Sequence, residues 1–294
     1  MQVANVQACL VPSADPHLSE YLPDYWQLRP WLTGFSGSVG TVVVTRDFAG
    51  LWVDSRYWVQ AEAELAGSEV TLMKIGVATD PAHTAWLATH LTEGATVAVD
   101  GRALGLSARD ALLELLTPRG IALTLEFDLP GQCWPDRPSL PMAAVRDLPL
   151  DIAGASRQDK LARVRQVMLE QGAQWHLLST LDDIAWLLNL RGSDVSFNPV
   201  FMSHVLLGLN DATLFVLSGK VDAALAARLA QDNIQIRPYE AVAQVLAELP
   251  EKDVLLFDPA RTTCALIDRL RTQTVRAMNP STFFKSQKTS FELD

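Results

Sequence analysis

TLDDIAWLLNLRGSDVSFNPVFMSHVLL, Thr180 to Leu207, packs a helix, a charged loop and a strand into one segment. Thr180 followed three residues later by Asp183 resembles a capping box, with Asp in place of the usual Glu or Gln, and predicts a helix start. Ile184 to Leu188 leave little room for a polar face, so the helix should be short and buried. Arg191 to Asp194 leave it as a charged loop. Asn198-Pro199 marks a turn, and Pro199 can open the apolar run Val200 to Leu207 but cannot sit inside it. That run predicts a strand. Gly208 to Asp211 is a tight connection, and Ala212 to Leu217 returns as its hairpin partner.

Outward from this segment, the pattern alternates between strand and helix. In the first half, VQACLVP predicts a strand, and Thr41 to Val44 with Leu51 to Val53 predicts a hairpin. Arg56 to Leu65 has helical periodicity. A strand (70–75), a helix (81–91), a strand (96–100), a helix (107–116) and a strand (121–127) follow. After Ser156 the order largely recurs: a helix over 157–171, the strand WHLLS, the buried helix, the hairpin, a helix over 221–231 and the strand IQIRPY. Next come a helix over 241–249, the strand DVLLFD, a helix over 263–271 and the strand TVRAM. The recurrence suggests a duplication. The fold class is α/β, with a mixed sheet flanked by helices in each half. Between the halves, 129–156 holds Pro130, Pro135, Pro138, Pro141 and Pro149 with little periodicity, which makes it the linker. The expected domains are 1–155 and 156–280, with 281–294 opening a further element.

The 294 residues suffice for two ordinary domains, each with a core. Half of the residues are apolar, yet no apolar run approaches the roughly 20 needed to span a bilayer, and no secretory leader is apparent. A soluble, cytoplasmic protein is expected. The net charge of -10 repels nucleic-acid phosphates and anionic membrane surfaces, so neither is an expected partner. Cys9, Cys133 and Cys264 are scattered without CxxC spacing, which argues against a disulfide framework or thiolate metal site.

Several polar residues invite a functional reading. His17 lies in PSADPHLSEY with Ser19 and Glu20, where a local hydrogen-bond network is the simpler account. Gly34, Gly37 and Gly40 mimic a phosphate loop but match neither GxGxxG nor GxxxxGK[ST]; backbone freedom and close packing explain them better. Arg191, Ser193, Asp194 and Asn198 read as a helix end and loop held by an Arg-Asp pair. Most of the eight tryptophans should be packing residues, with Trp31 able to face a neighbouring subunit.

Six ordered blocks, PSADPHLSEY, GFSGSVGTVVVT, LWVDSRYWVQA, CWPDRPSLP, KLARVR and the opening segment, together resemble the aminopeptidase P family of three-domain cytosolic Xaa-Pro aminopeptidases. That resemblance implies two consecutive creatinase-like N-terminal domains, each similar to ribonuclease H, ahead of a catalytic domain of pita-bread fold. The catalytic domain would carry two Mn ions and hydrolyse the bond before a proline at the second position of a peptide. No cofactor is expected in the present chain, where no histidine follows His204. FFKSQKTSFELD resembles the first helix of that catalytic domain, a helix running from Pro280 to Asp294, so the chain is expected to be a truncated, non-catalytic front. The resemblance also places one substrate contact on Arg56, in the motif Asp-x-Arg-Tyr, where a salt bridge to Asp54 that merely fixes a helix start is the competing account. It makes the loop bearing Arg191, Ser193, Asp194 and Asn198 a wall of the cleft, with His17 a further cleft or interface candidate, and a homo-oligomer the expected assembly. A stand-alone α/β pair that binds a ligand or partner is the alternative. Creatinase and prolidase, with one such N-terminal domain, fit less well.

Overall fold

A computed structural model describes residues 1–76, 81–271 and 274–293. The chain divides into two units, Met1–Leu140 and Pro141–Asp294. The division lies ahead of the expected boundary near 155. Arg146–Asp147 pairs with Leu190–Arg191, and the amide of Val145 donates to the carbonyl of Lys220, so the Pro-rich stretch is tied into the second unit from about its middle.

The first unit runs β1 (Ala8–Pro12), α1 (Leu28–Thr33), β2 (Thr41–Thr45), β3 (Ala49–Val53), α2 (Trp58–Glu64), β4 (Thr71–Lys74), α3 (Ala82–His90), β5 (Thr96–Ala98), α4 (Leu106–Leu116), β6 (Ala122–Thr124) and α5 (Leu129–Cys133). Its sheet order is β4-β3-β2-β1-β5-β6. The hairpin partners β1, β2 and β3 are antiparallel, whereas β4, β5 and β6 join in parallel. The short turn between β2 and β3 permits the first kind of pairing, and the helices before β4 and β6 supply the crossovers that the second kind requires.

The second unit runs β7 (Arg146–Asp147), α6 (Leu150–Ala153), α7 (Arg157–Glu170), β8 (Trp175–Leu178), α8 (Leu181–Leu187), β9 (Leu190–Arg191), β10 (Ser203–Gly208), β11 (Ala212–Val216), α9 (Ala223–Gln231), β12 (Ile234–Pro238), α10 (Val242–Ala247), β13 (Val254–Phe257), α11 (Cys264–Ile267), β14 (Thr274–Ala277), α12 (Pro280–Lys285) and α13 (Ser290–Leu293). Its main sheet, β12-β11-β10-β8-β13-β14, repeats the first in order and in the sense of every pairing. The duplication read in the sequence is therefore a duplication of topology.

Several expected elements differ in detail. Val200 to Met202 are buried but lie outside the ladder, and the strand begins at Ser203. The helix expected over 263–271 is a single turn, Cys264–Ile267. In place of one helix from Pro280 to Asp294 there are two short ones, and Asp294 lies outside the described residues. The capping box does not form either. Thr180 Oγ1 donates 2.6 Å to Asp183 Oδ2 and makes no side-chain cap to the backbone. A cap contributes about 0.5–2 kcal/mol. Burial of Leu181, Ile184 and Leu187 contributes about 1.5–3 kcal/mol each and is what keeps the helix.

Candidate functional site

In the first unit the decisive turn joins β3 to α2. Asp54 directly follows β3, with its side chain only 5% exposed. Its Oδ1 accepts the Arg56 amide at 3.1 Å and Arg56 Nε at 2.9 Å, and its Oδ2 accepts Nη2 at 2.8 Å. This hydrogen bonding holds the Asp54 carboxyl below the usual range against the opposing effect of its burial. The Arg56 side chain is 63% exposed, and its guanidinium lies 5.3 Å from the centre of the Tyr57 ring. The expected salt bridge is present, and it leaves the guanidinium open to solvent.

The loop beside this turn is built by a residue that sequence reasoning passed over. Arg29 is buried, donates from Nε to Ser13 Oγ at 2.7 Å and from Nη1 to the Phe35 carbonyl at 2.9 Å, and reaches the Gly37 carbonyl through Nη2. Burial lowers its pKa to about 10. The glycines serve this loop: Gly34 ends α1 at φ +73°, and a Cβ on Gly37 would lie 2.3 Å from the Phe35 ring. The loop brings Ser38 Oγ within 2.6 Å of the Tyr57 hydroxyl. His17 is buried, and Asp15 Oδ1 accepts the amides of His17 and Ser19 at 2.9 and 3.0 Å. Between them Leu18 adopts φ +51°, a left-handed conformation that a leucine enters at a cost.

In the second unit the charged loop that follows α8, hereafter the signature loop, hangs on a pair that crosses the hairpin. Lys220 Nζ meets both carboxylate oxygens of Asp194, with both side chains fully buried, and donates 3.2 Å to the Pro141 carbonyl. Asp194 Oδ2 also accepts the Met202 amide at 2.7 Å. Burial pulls the Lys220 ammonium below its ordinary value while Asp194 holds it up. The expected Arg-Asp pair is thus replaced. Arg191 Nη1 donates instead to the carbonyls of Ala185 and Leu190, at 2.7 and 2.9 Å. Gly192 lies against Phe201, Val195 bridges to Asn198, and Ser193 is exposed. The tip carries Phe197, fully exposed at φ +61°.

Beneath the loop, Lys160 closes the end of α8. Its Nζ donates to the Trp186 carbonyl at 3.0 Å and to Asn189 Oδ1 at 2.6 Å, and burial lowers its pKa to about 8. At the other end Asn279 Nδ2 donates 2.7 Å to Asp183 Oδ2, and Lys285 pairs with Asp182 and Asp183. Neither Lys160 nor Lys220 carries a local sequence signal, because the partners of each lie more than 25 residues away.

Among the described residues no group of three His, Cys, Asp or Glu side chains comes together as a metal donor set. No helix among the described residues is long and apolar enough to cross a membrane.

Compared with known proteins, residues 1–124 and 136–292 each match a Creatinase/Prolidase N-terminal domain family. The chain is 35% identical to Aminopeptidase P2 of Arabidopsis thaliana over 89% of its own length and 37% of that protein's. It is 33% identical to Xaa-Pro aminopeptidase 1 of Dictyostelium discoideum over 100% of its length and 48% of that protein's. The crystal structure of the X-prolyl aminopeptidase of Caenorhabditis elegans, described as a cytosolic enzyme with a di-nuclear active site, superposes with a TM-score of 0.91 at 28% identity, covering 98% of this chain and 48% of that one. The chain thus spans less than half the length of these relatives.

Proposed function

The chain belongs to the creatinase/prolidase N-terminal domain family, represented twice along its length and aligned end to end with aminopeptidase P relatives, and from that premise we propose that it forms the non-catalytic front of a manganese-dependent Xaa-Pro aminopeptidase. In this reading the two units shape the entrance through which a peptide with proline at its second position reaches the metals, and they support assembly of a cytoplasmic homo-oligomer. Hydrolysis itself belongs to a metal-bearing catalytic domain. The observation that carries the reading is the alignment with a Xaa-Pro aminopeptidase over 100% of the chain, of which it covers 48%. Arg56 is the residue proposed to touch substrate. It supplies a permanently charged donor group, exposed and already oriented by Asp54. The signature loop with Arg191, Ser193, Asp194 and Asn198 is proposed as a wall of the entrance, its shape held from below by Lys220. His17, in the first unit, is proposed as a further cleft or interface residue.

The test compares the 294-residue chain with a polypeptide that also carries the catalytic domain, measuring release of the first residue from a Xaa-Pro peptide with and without Mn. Activity only in the longer form, and only with metal, is expected. Mn-dependent hydrolysis by the 294 residues alone overturns the proposal.

A further inference from the structure

The first unit contains the Asp54 turn twice. Asp100-Gly101-Arg102 repeats the geometry of Asp54-Ser55-Arg56. Asp100 Oδ1 accepts the Arg102 amide at 2.9 Å and Nε at 3.0 Å, while Oδ2 accepts Nη2 at 2.7 Å. The two turns differ in what lies beyond them. The Arg102 guanidinium is closed off by Asp128, 2.8 Å from Nη2, and is 40% exposed. The Arg56 side chain is 63% exposed, and among the described residues Asp54 alone meets its guanidinium, through Nε and Nη2, whereas Arg102 meets two carboxylates; Nη1 is left without an acceptor in both turns. Arg56 is therefore the same pinned arginine with its outer side open.

Charge decides what fits that side. Asp54 already neutralises Arg56, and Glu20 adds a negative field from nearby. Around Arg102 a second cation accompanies the second carboxylate, since the Arg102 and Arg137 guanidinia lie 5.3 and 5.0 Å from the centre of the Trp26 ring. Arg56 is already met by both oxygens of Asp54 and lies over the Tyr57 ring, 5.3 Å from its centre, so a neutral oxygen acceptor fits better than another carboxylate.

We propose that Asp54 is a positioning residue, holding Arg56 with its Nη1 donors directed outward to a backbone carbonyl oxygen of the peptide substrate. This rests on the reading that Arg56 contacts substrate. The pin removes rotamer freedom before the peptide arrives, so less is lost on binding.

The experiment is a double-mutant cycle in the complete, metal-loaded peptidase that contains these units, with Gly-Pro-Ala and its C-terminal amide as probes. Asp54→Asn keeps an oxygen for the Arg56 amide and loses the carboxylate that takes Nε and Nη2. Arg56→Ala should raise KM roughly tenfold or more with little change in kcat. Asp54→Asn should raise KM roughly three- to tenfold, and the double variant should match Arg56→Ala alone. Arg56→Lys retains charge without the fork and should also raise KM, which keeps the test open if Asp54→Asn lowers the unfolding temperature. The amide should bind like the free acid. An unchanged KM for Asp54→Asn beside a raised one for Arg56→Ala, or multiplicative effects in the double variant, overturns the positioning role while leaving the substrate contact standing. Unchanged KM for Arg56→Ala removes the contact itself. Loss of binding on amidation comparable to that of Arg56→Ala makes the acceptor a carboxylate and overturns the carbonyl assignment.

Discussion

Lys220 holds both carboxylate oxygens of Asp194 across a separation of 26 residues, and neither side chain has measurable solvent exposure. The pair joins the segment after the β10–β11 hairpin to the signature loop. Its stability contribution is asymmetric. Intact, a buried pair is near neutral against a well-packed apolar replacement, whereas removal of one partner strands a charge.

Lys220→Met should therefore destabilise the second unit by about 3–5 kcal/mol, and the added change Asp194→Asn should recover part of that loss. Urea unfolding followed by tryptophan fluorescence measures both. Hydrogen exchange at the Met202 amide, bonded to Asp194 Oδ2, should quicken in the single variant. Equal stability of wild type and Lys220→Met would count against the pair as the anchor of the loop.

His176, fully enclosed in β8, donates from Nδ1 to the Leu256 carbonyl at 3.1 Å, and burial lowers its pKa to about 4. The folded state thus resists protonation that the unfolded chain accepts near 6.5. Stability from this group is complete above pH 6.5 and is lost as pH falls toward 4, by up to about 3 kcal/mol. His176→Gln should flatten that segment of the stability curve measured by denaturant titrations at stepped pH. An unaltered slope would mean that another group dominates.

Lys160 is shifted in the same direction by the same cause, burial of a cation, but in a higher pH range. Its ammonium is buried against carbonyl groups without a hydrogen-bonded carboxylate, and its pKa falls to about 8 from 10.5. Below pH 8 both folded and unfolded states carry the proton, so the desolvation cost is constant there. Between pH 8 and 10.5 the unfolded state binds more protons, and stability rises with pH. Wild type should gain stability relative to Lys160→Met across that interval, read from paired unfolding midpoints at pH 7.5 and 9.5. A constant difference would contradict the shifted titration.

Phe197 combines complete exposure with φ +61°. A left-handed residue with a Cβ costs about 1–2 kcal/mol, and this side chain recovers nothing by burial within its own unit. Phe197→Gly should stabilise the chain, or at worst leave it unchanged because glycine also loosens the unfolded state, with a shift of about 0.5–1 kcal/mol. Thermal unfolding of the two forms decides it, and a clear destabilisation would show that Phe197 braces the loop.

Legibility in the sequence followed the range of the interactions. The hairpins, the buried helix after Thr180 and the helix after Ser156 rest on periodicity, turn residues and caps within a few positions. All of these elements formed, with Ser156 Oγ accepting the Asp159 amide as a cap. Misplaced edges have physical causes. Val200 to Met202 look like strand because they are apolar, yet they spend that character packing beneath the loop before the ladder begins. Thr180 and Asp183 have capping-box spacing, but Asp183 is drawn to Asn279 and Lys285, which only the closing of the chain brings near.

The sequence by itself determined the α/β class, the repeated order of strands and helices and the family, since each rests on local pattern or on ordered blocks of residue identity. Tertiary structure alone decided that Asp194 answers to Lys220 instead of Arg191, that Arg29 builds the glycine loop, and that Arg56 faces outward where Arg102 is closed by Asp128. Such choices depend on which charged groups meet at distances of about 3 Å after burial has removed water as a competing partner, and no spacing along the chain encodes that.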